Sequence, residues 1–194
     1  VSARGVLGVV LAAGGSSRLG RPKQLLVHRG VPLVRGAALA ACASACTEVV
    51  VVVGASAAEV TQALDGLPVT IVVNADWASG MGSSIRCGVA RASSGGHDAA
   101  LVMLCDQPAL TTLHLERLLS AHAPGRSVAS RYEGVLGVPA VLDRATFAQL
   151  LSLEGAAGAR QVLRAAEDVV AVDWPEGAID VDTPEDAARL SPAS

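Results

Sequence analysis

Short apolar runs alternate with amphipathic stretches along most of the chain. Val6 to Leu11, Val49 to Val53, Val69 to Val73 and Ala99 to Leu104 are mostly aliphatic and rich in β-branched residues. Continuous runs this short read as strands buried on both faces of a parallel sheet. Between them fall segments with helical patterning. These are Pro32 to Ala45, Ser56 to about Leu64, Ser83 to Ala92 with an exit at Ser94-Gly95-Gly96, and Thr112 to Ala121. Ser56 with Glu59 has the spacing of a capping box. Further on, Ser127 to Ser130 and Val135 to Leu142 are strand candidates with no helix between them. Arg144 to Leu151 and Ala157 to Ala166 read as helices, Val169 to Val172 as a short strand, and Pro184 to Leu190 as a closing helix with proline in its first turn.

This order predicts an α/β fold, a doubly wound, mostly parallel Rossmann-like sheet with a small antiparallel addition. No repeat or low-complexity linker divides residues 1–194, so one domain is expected. Ligands of such sheets bind beyond the carboxyl ends of the strands. The loops after the first and fourth strands therefore carry the chemistry to look for.

Composition narrows the partners. Hydrophobic residues make up 51% of the 194 positions and charged residues 17%, which suits a packed core and not disorder. Aromatic residues at 2% leave no platform for stacking bases, and a net charge of −3 gives no polybasic face, so neither nucleic acid nor a membrane surface is an expected partner. No apolar run approaches the roughly 20 residues of a bilayer span. Val1 to Leu11 lacks the basic leader of a signal peptide. Cys42, Cys46, Cys87 and Cys105 lack zinc-site spacing and read as buried thiols in a reducing, cytoplasmic setting. Of the 15 basic residues, Lys23 is the one lysine.

That lysine closes the first loop, Leu11 to Lys23, which reads LAAGGSSRLGRPK. Gly14 and Gly15 let backbone amides approach anionic oxygens, Ser16 and Ser17 add hydroxyls, and Arg18 and Lys23 add positive charge. It is neither a Walker loop nor the G-x-G-x-x-G dinucleotide fingerprint, and no acidic residue ends the second strand.

The pattern A-A-G-x-S-x-R-x-G-x-P-K resembles the signature of the molybdopterin nucleotidyltransferases, and Pro22-Lys23-Gln24-Leu25 is similar to their cytidylyl-transferring branch. Three further segments match in order: Asn74 to Trp77 with Gly80 to Ile85, Asp106-Gln107-Pro108, and Asp180 to Asp186. The resemblance covers nearly the whole chain. It implies a nucleotide-diphospho-sugar transferase type of sheet, with a nucleotide-binding half over 1–110 and an acceptor-binding half over 111–194. It also implies transfer of CMP from CTP to a molybdopterin-type cofactor with release of pyrophosphate, and a molybdenum hydroxylase as the partner receiving the product.

By the same resemblance, Ala13, Gly14, Gly15 and Ser16 hold the triphosphate. Gly80 and Ser84 lie along base and ribose. Lys23 and Arg18 serve the phosphates under reaction, and Asp106 and Asp182 bind Mg2+. Ala12-Ala13-Gly14 is similar to the cytosine-using members. Simpler roles stand beside these. Asp106 and Asp182 could each cap a turn or helix, Ser83 could be a plain N-cap, and Trp77 could shield the pocket or merely pack. The chain departs from the family pattern at Ala156, where an aspartate is common, and at Cys105, where glycine is common. A sugar or alditol phosphate acceptor and a non-catalytic cofactor-delivery role are the alternatives. A redox role is disfavoured by the missing dinucleotide fingerprint.

Overall fold

The apolar runs become the strands of one twisted sheet in the computed structural model, which describes residues 5–166 and 168–190. The first four residues, part of the stretch read above for a leader, lie outside the described residues. In chain order the elements are β1 (Val6–Ala12), β2 (Val27–His28), β3 (Val31–Pro32), α1 (Leu33–Cys42), β4 (Glu48–Val53), α2 (Ala57–Ala63), β5 (Thr70–Val73), α3 (Met81–Gly95) and β6 (Ala99–Leu104). They continue with α4 (Thr112–Ala121), β7 (Ser127–Tyr132), β8 (Val135–Asp143), α5 (Phe147–Leu151), α6 (Ala159–Ala165), β9 (Val169–Asp173) and α7 (Pro184–Leu190).

The main sheet has seven strands in the order β5-β4-β1-β6-β8-β7-β9. β5, β4, β1 and β6 are parallel, β8 is antiparallel to both β6 and β7, and β9 is parallel to β7. Only β8 therefore runs against the rest. The expected doubly wound, mostly parallel sheet with an antiparallel addition is the observed architecture.

The period of two along each strand sorts side chains onto two cores. Leu7, Val9 and Leu11 face Ile85 and Val89 of α3, Phe147 and Leu150 of α5 and Val162 of α6. Val10 and Ala12 face Ala37, Ala38 and Ala41 of α1, Val60 of α2 and Leu115 and Leu118 of α4. Each fully buried Val or Leu contributes about 1.5–3 kcal/mol over its exposed state, so this two-faced burial dominates the stability.

Several local expectations are corrected. The hairpin of β2 and β3 was not expected; its turn carries Arg29 and Gly30, both at positive φ (50° and 84°). Ser56 makes no side-chain cap, so the capping box is absent. Arg144–Thr146 is a 3-10 turn ahead of the short α5. Of the four thiols only Cys105 is buried; the other three are half-buried, and all are free. No helix among the described residues is long and apolar enough to cross a membrane.

Candidate nucleotide and metal site

The loop after β1 is held by the side chain of Gln24, which is 1% exposed. Its Nε2 donates to the carbonyls of Ala12 (3.0 Å) and Gly14 (2.7 Å). Ser16 sits at φ 50°; its carbonyl accepts from the N–H of Leu19 and Gly20. Its hydroxyl accepts from Lys23 N–H (3.0 Å) and donates to Gln24 Oε1 (3.4 Å). Ser16 thus spends its side chain inside the loop, and Ser17 is the serine of this loop that lines the cavity. The backbone N–H groups of Gly14, Gly15, Ser16 and Ser17 have no protein acceptor among the described residues. Successive free amides of this kind form an anion-binding concavity.

Beside the loop lies an ion cluster drawn from three distant segments. Lys23 Nζ is 2.5 Å from Asp106 Oδ2 and 2.7 Å from Asp182 Oδ1, and Arg18 reaches Asp182 Oδ2 at 2.7 Å. Asp106 lies in the turn two residues past β6, and its carbonyl accepts from Val181 N–H (3.0 Å), which stitches the C-terminal segment to the end of the sheet. Burial opposes the charge on Lys23, but the Asp106 and Asp182 carboxylates outweigh it and raise its pKa above the ordinary lysine value. The hydrogen bond from Lys23 holds the Asp182 carboxyl below the usual range. Burial, followed by the negative charges of Asp182 and Asp106, pushes Asp180 up.

The capping alternatives are resolved by geometry. Thr111 caps α4, accepting from His114 N–H at 3.3 Å. Thr183 and Asp186 cap the start of α7 through reciprocal bonds of 2.7–3.2 Å. Asp106 and Asp182 are left to the cluster. Asp106 Oδ1 is buried without a partner. Two carboxylates, one with an unsatisfied oxygen, fit Mg2+, which takes one or two carboxylates and completes its shell with water and phosphate oxygens. No group of three or more His, Cys, Asp or Glu is placed to hold a metal among the described residues, so the protein alone offers no closed metal cage.

The second nucleotide segment is organised by Asn74, which is 2% exposed. Its Nδ2 donates to Ser83 Oγ (2.8 Å) and Ser84 Oγ (3.1 Å), and its Oδ1 accepts from Asp76 N–H (3.0 Å). Ser83 in turn donates to the Gly80 carbonyl (2.8 Å), so it is not the N-cap; that position belongs to Gly80. Gly80 adopts φ 118°, and a Cβ there would lie 2.3 Å from the Gly155 carbonyl oxygen. Gly82 N–H donates to the same oxygen at 3.1 Å. Trp77 packs its ring edge on Gly15, where a Cβ would meet Cζ3 at 2.9 Å, so the indole is a wall of the pocket.

These parts enclose a cavity of about 570 Å³ lined by Ala13, Gly14, Gly15, Arg18, Lys23, Gly80, Ser84 and Asp106. Asp182 joins it through Lys23. A second cavity of about 550 Å³ shares Leu11, Met81, Leu104 and Ala156 with the first and adds Gln107, Tyr132, Glu133, Arg160 and Asp180. Gln107 donates from Nε2 to the carbonyls of Gly177 (3.0 Å) and Val138 (3.3 Å), tying the end of β6 to the turn before Asp180. Gln24, Asn74 and Gln107 were not singled out in the sequence. Their signal there was only adjacency, each lying within a matched segment.

An anion loop, a lysine–aspartate cluster and two adjoining cavities at one sheet edge suit transfer of a phosphorylated group between two substrates. Comparison with known proteins agrees. The MobA-like NTP transferase domain matches residues 8–170. Nicotine blue oxidoreductase of Paenarthrobacter nicotinovorans is 42% identical over 95% of this chain and 96% of its own length. The structure of Rv0371c from Mycobacterium tuberculosis in complex with manganese aligns with a TM-score of 0.76 and 29% identity, over 96% of this chain and 97% of that one. A nucleotidyl transferase from Methanothermobacter thermautotroptrophicus shares the fold, with a TM-score of 0.82, 24% identity and 96% of each chain covered. With the matched segment spanning both the loop after β1 and the Asp106 strand end, the chain belongs to the MobA-like NTP transferase family.

Proposed function

We propose that this protein transfers CMP from CTP to a molybdopterin-type cofactor and releases pyrophosphate. The observation that carries the reading is Lys23, held between Asp106 and Asp182 beside four consecutive unpaired backbone amides. In the proposed reaction an oxygen of the acceptor's phosphate attacks the α-phosphorus of CTP. The bond between that phosphorus and the oxygen bridging to the β-phosphate breaks, and its electron pair leaves with pyrophosphate. A phosphate acceptor is already anionic, so alignment and charge neutralisation supply the catalysis and no strong base is needed.

The amides of Gly14, Gly15 and Ser16 and the Ser17 hydroxyl bind the triphosphate, Arg18 steadies its outer phosphates, and Lys23 neutralises charge at the reacting phosphorus. Ser84 offers a polar contact to the sugar or base. The Ala12-Ala13-Gly14 stretch, similar to that of cytosine-using members, supports cytosine over guanine. Asp106 and Asp182 would hold Mg2+. When bound, that ion would offset phosphate charge and assist departure of pyrophosphate. The second cavity, formed largely by residues after 111, is the proposed acceptor chamber. A molybdenum hydroxylase in the cytoplasm is the proposed recipient of the product.

A thermal-shift panel of CTP, GTP, ATP and UTP with Mg2+, followed by acceptor profiling with labelled CTP, tests this. Selective stabilisation by CTP and transfer to molybdopterin are expected. Transfer to a sugar or alditol phosphate and none to molybdopterin overturns the acceptor assignment.

The relative named as an oxidoreductase favours a second reading, in which a redox substrate occupies the second chamber. The loop after β1 lacks the dinucleotide fingerprint, which weighs against a nicotinamide cofactor. Fluorescence titration with NAD(P)H separates the two readings; no binding is expected.

A further inference from the structure

We propose that the Lys23 ammonium is a built-in substitute for the divalent cation, so that metal binds tightly only once phosphate has drawn this side chain away. The inference rests on reading the cluster as a metal–nucleotide site. In the free protein, Nζ bridges the two carboxylates that would hold the metal, at 2.5 Å from Asp106 and 2.7 Å from Asp182. The Asp106 and Lys23 side chains are only 10% and 18% exposed, so water does little to screen this contact. Two carboxylates this close repel one another unless a cation lies between them. The ammonium meets that need without metal, and an incoming divalent ion must displace it.

A displaced, half-buried ammonium needs another anion. The free amides of Gly14 to Ser17 mark where phosphate would supply one. The backbone of Lys23 is anchored, its N–H held by Ser16 Oγ at 3.0 Å. The exchange is therefore a swing of the side chain alone. Phosphate takes Lys23, the carboxylates open, and the metal enters. Linkage makes this coupling reciprocal, so metal also strengthens phosphate binding, and couplings of this type reach about 5–150-fold. Asp106 Oδ1, buried and unpartnered, agrees with this account, since the ammonium satisfies only one oxygen of that carboxylate.

The test titrates Mn2+ without nucleotide, by calorimetry, into the wild-type protein and into Lys23→Met and Lys23→Gln, with circular dichroism to confirm folding. Weak binding by the wild type and at least about tenfold tighter binding by a folded variant are expected. A folded variant that binds Mn2+ no tighter than the wild type overturns the proposal.

A second measurement needs no variant. Lys23 is the one lysine of the chain, so labelling with lysine carrying 13C at the ε-carbon alone gives a single side-chain NMR signal. Saturation with Mg2+ should shift that signal as the ammonium leaves the carboxylates. Calorimetric Mg2+ binding that leaves the signal in place overturns the proposal. Failure of the wild type to bind CTP with Mn2+ would instead overturn the functional reading beneath it.

Discussion

The amide nitrogen of Gln24 donates to the carbonyls of both Ala12 and Gly14, so one buried side chain sets the curvature of the loop after β1. Replacing it by Leu fills the space but leaves two carbonyls unsatisfied, at a cost of about 1–3 kcal/mol each. Gln24→Leu is expected to lower the melting temperature and to raise KM for the nucleotide more than it lowers kcat. Thermal melts with steady-state kinetics check this, and an unchanged KM would show that the loop holds its shape without Gln24.

Lys23→Ala is expected to lower turnover by on the order of 10²-fold, corresponding to a transition-state contact of about 3 kcal/mol. Near-normal turnover would remove Lys23 from the chemistry. Stripping divalent ions with a chelator should abolish turnover in the wild type, and restoring Mg2+ or Mn2+ should recover it.

Trp77 lines the cavity beside the loop after β1, whereas Trp174 is 5% exposed and stacked on His114 with ring centroids 4.5 Å apart. CTP with Mg2+ is therefore expected to change the fluorescence of Trp77 alone. A response that survives in Trp77→Leu would place the nucleotide elsewhere.

His114 gives the protein a pH dependence unconnected with the cluster. Ser130 Oγ donates to the Pro139 carbonyl (2.7 Å), so it accepts from His114 Nε2 (2.8 Å), and Nδ1 is buried without a partner. Burial, with the nearby Arg117 charge, lowers the imidazole pKa from 6.5 to about 4, keeping the ring neutral in the folded state. The unfolded chain then binds the extra proton. The contribution of the neutral ring to stability is complete above pH about 6.5, falls as pH drops toward about 4, and totals roughly 3 kcal/mol. His114→Phe keeps the ring contact with Trp174 and should flatten the stability profile across that window in denaturant melts.

The Val and Leu runs were legible because burial on both faces of a parallel sheet demands them, and β1, β4 and β6 fall within a residue or so of their expected bounds. The β2–β3 hairpin was not, since two-residue strands carry no periodicity and its Arg29-Gly30 turn is a weak signal. Gly14, Gly15, Lys23 and Asp106 were legible through the chemistry their residue types offer at a strand end. The contact of Arg18 with Asp182, 164 residues away, exists only after folding. The direction of the Ser16 hydroxyl was not legible from its type. A hydroxyl in a glycine loop suggests phosphate, yet the left-handed turn at that residue aims it at Lys23 N–H and Gln24. Gln24, Asn74 and Gln107 were hidden for a common reason: each satisfies buried backbone or hydroxyl groups that have no address in the sequence.

The meeting of Gly80 and Gly155 limits where substitution can reshape the molecule. Beside Met81 and Ala156, which line both cavities, main chain rests on main chain, with no room for a Cβ at Gly80. Mutation cannot remodel such a seam by degrees, because any side chain there collides with the Gly155 carbonyl. The walls of the second cavity are built of side chains instead, at positions such as Ala156, Arg160 and Glu133. Substitutions there can reshape that cavity while leaving the loop after β1 untouched.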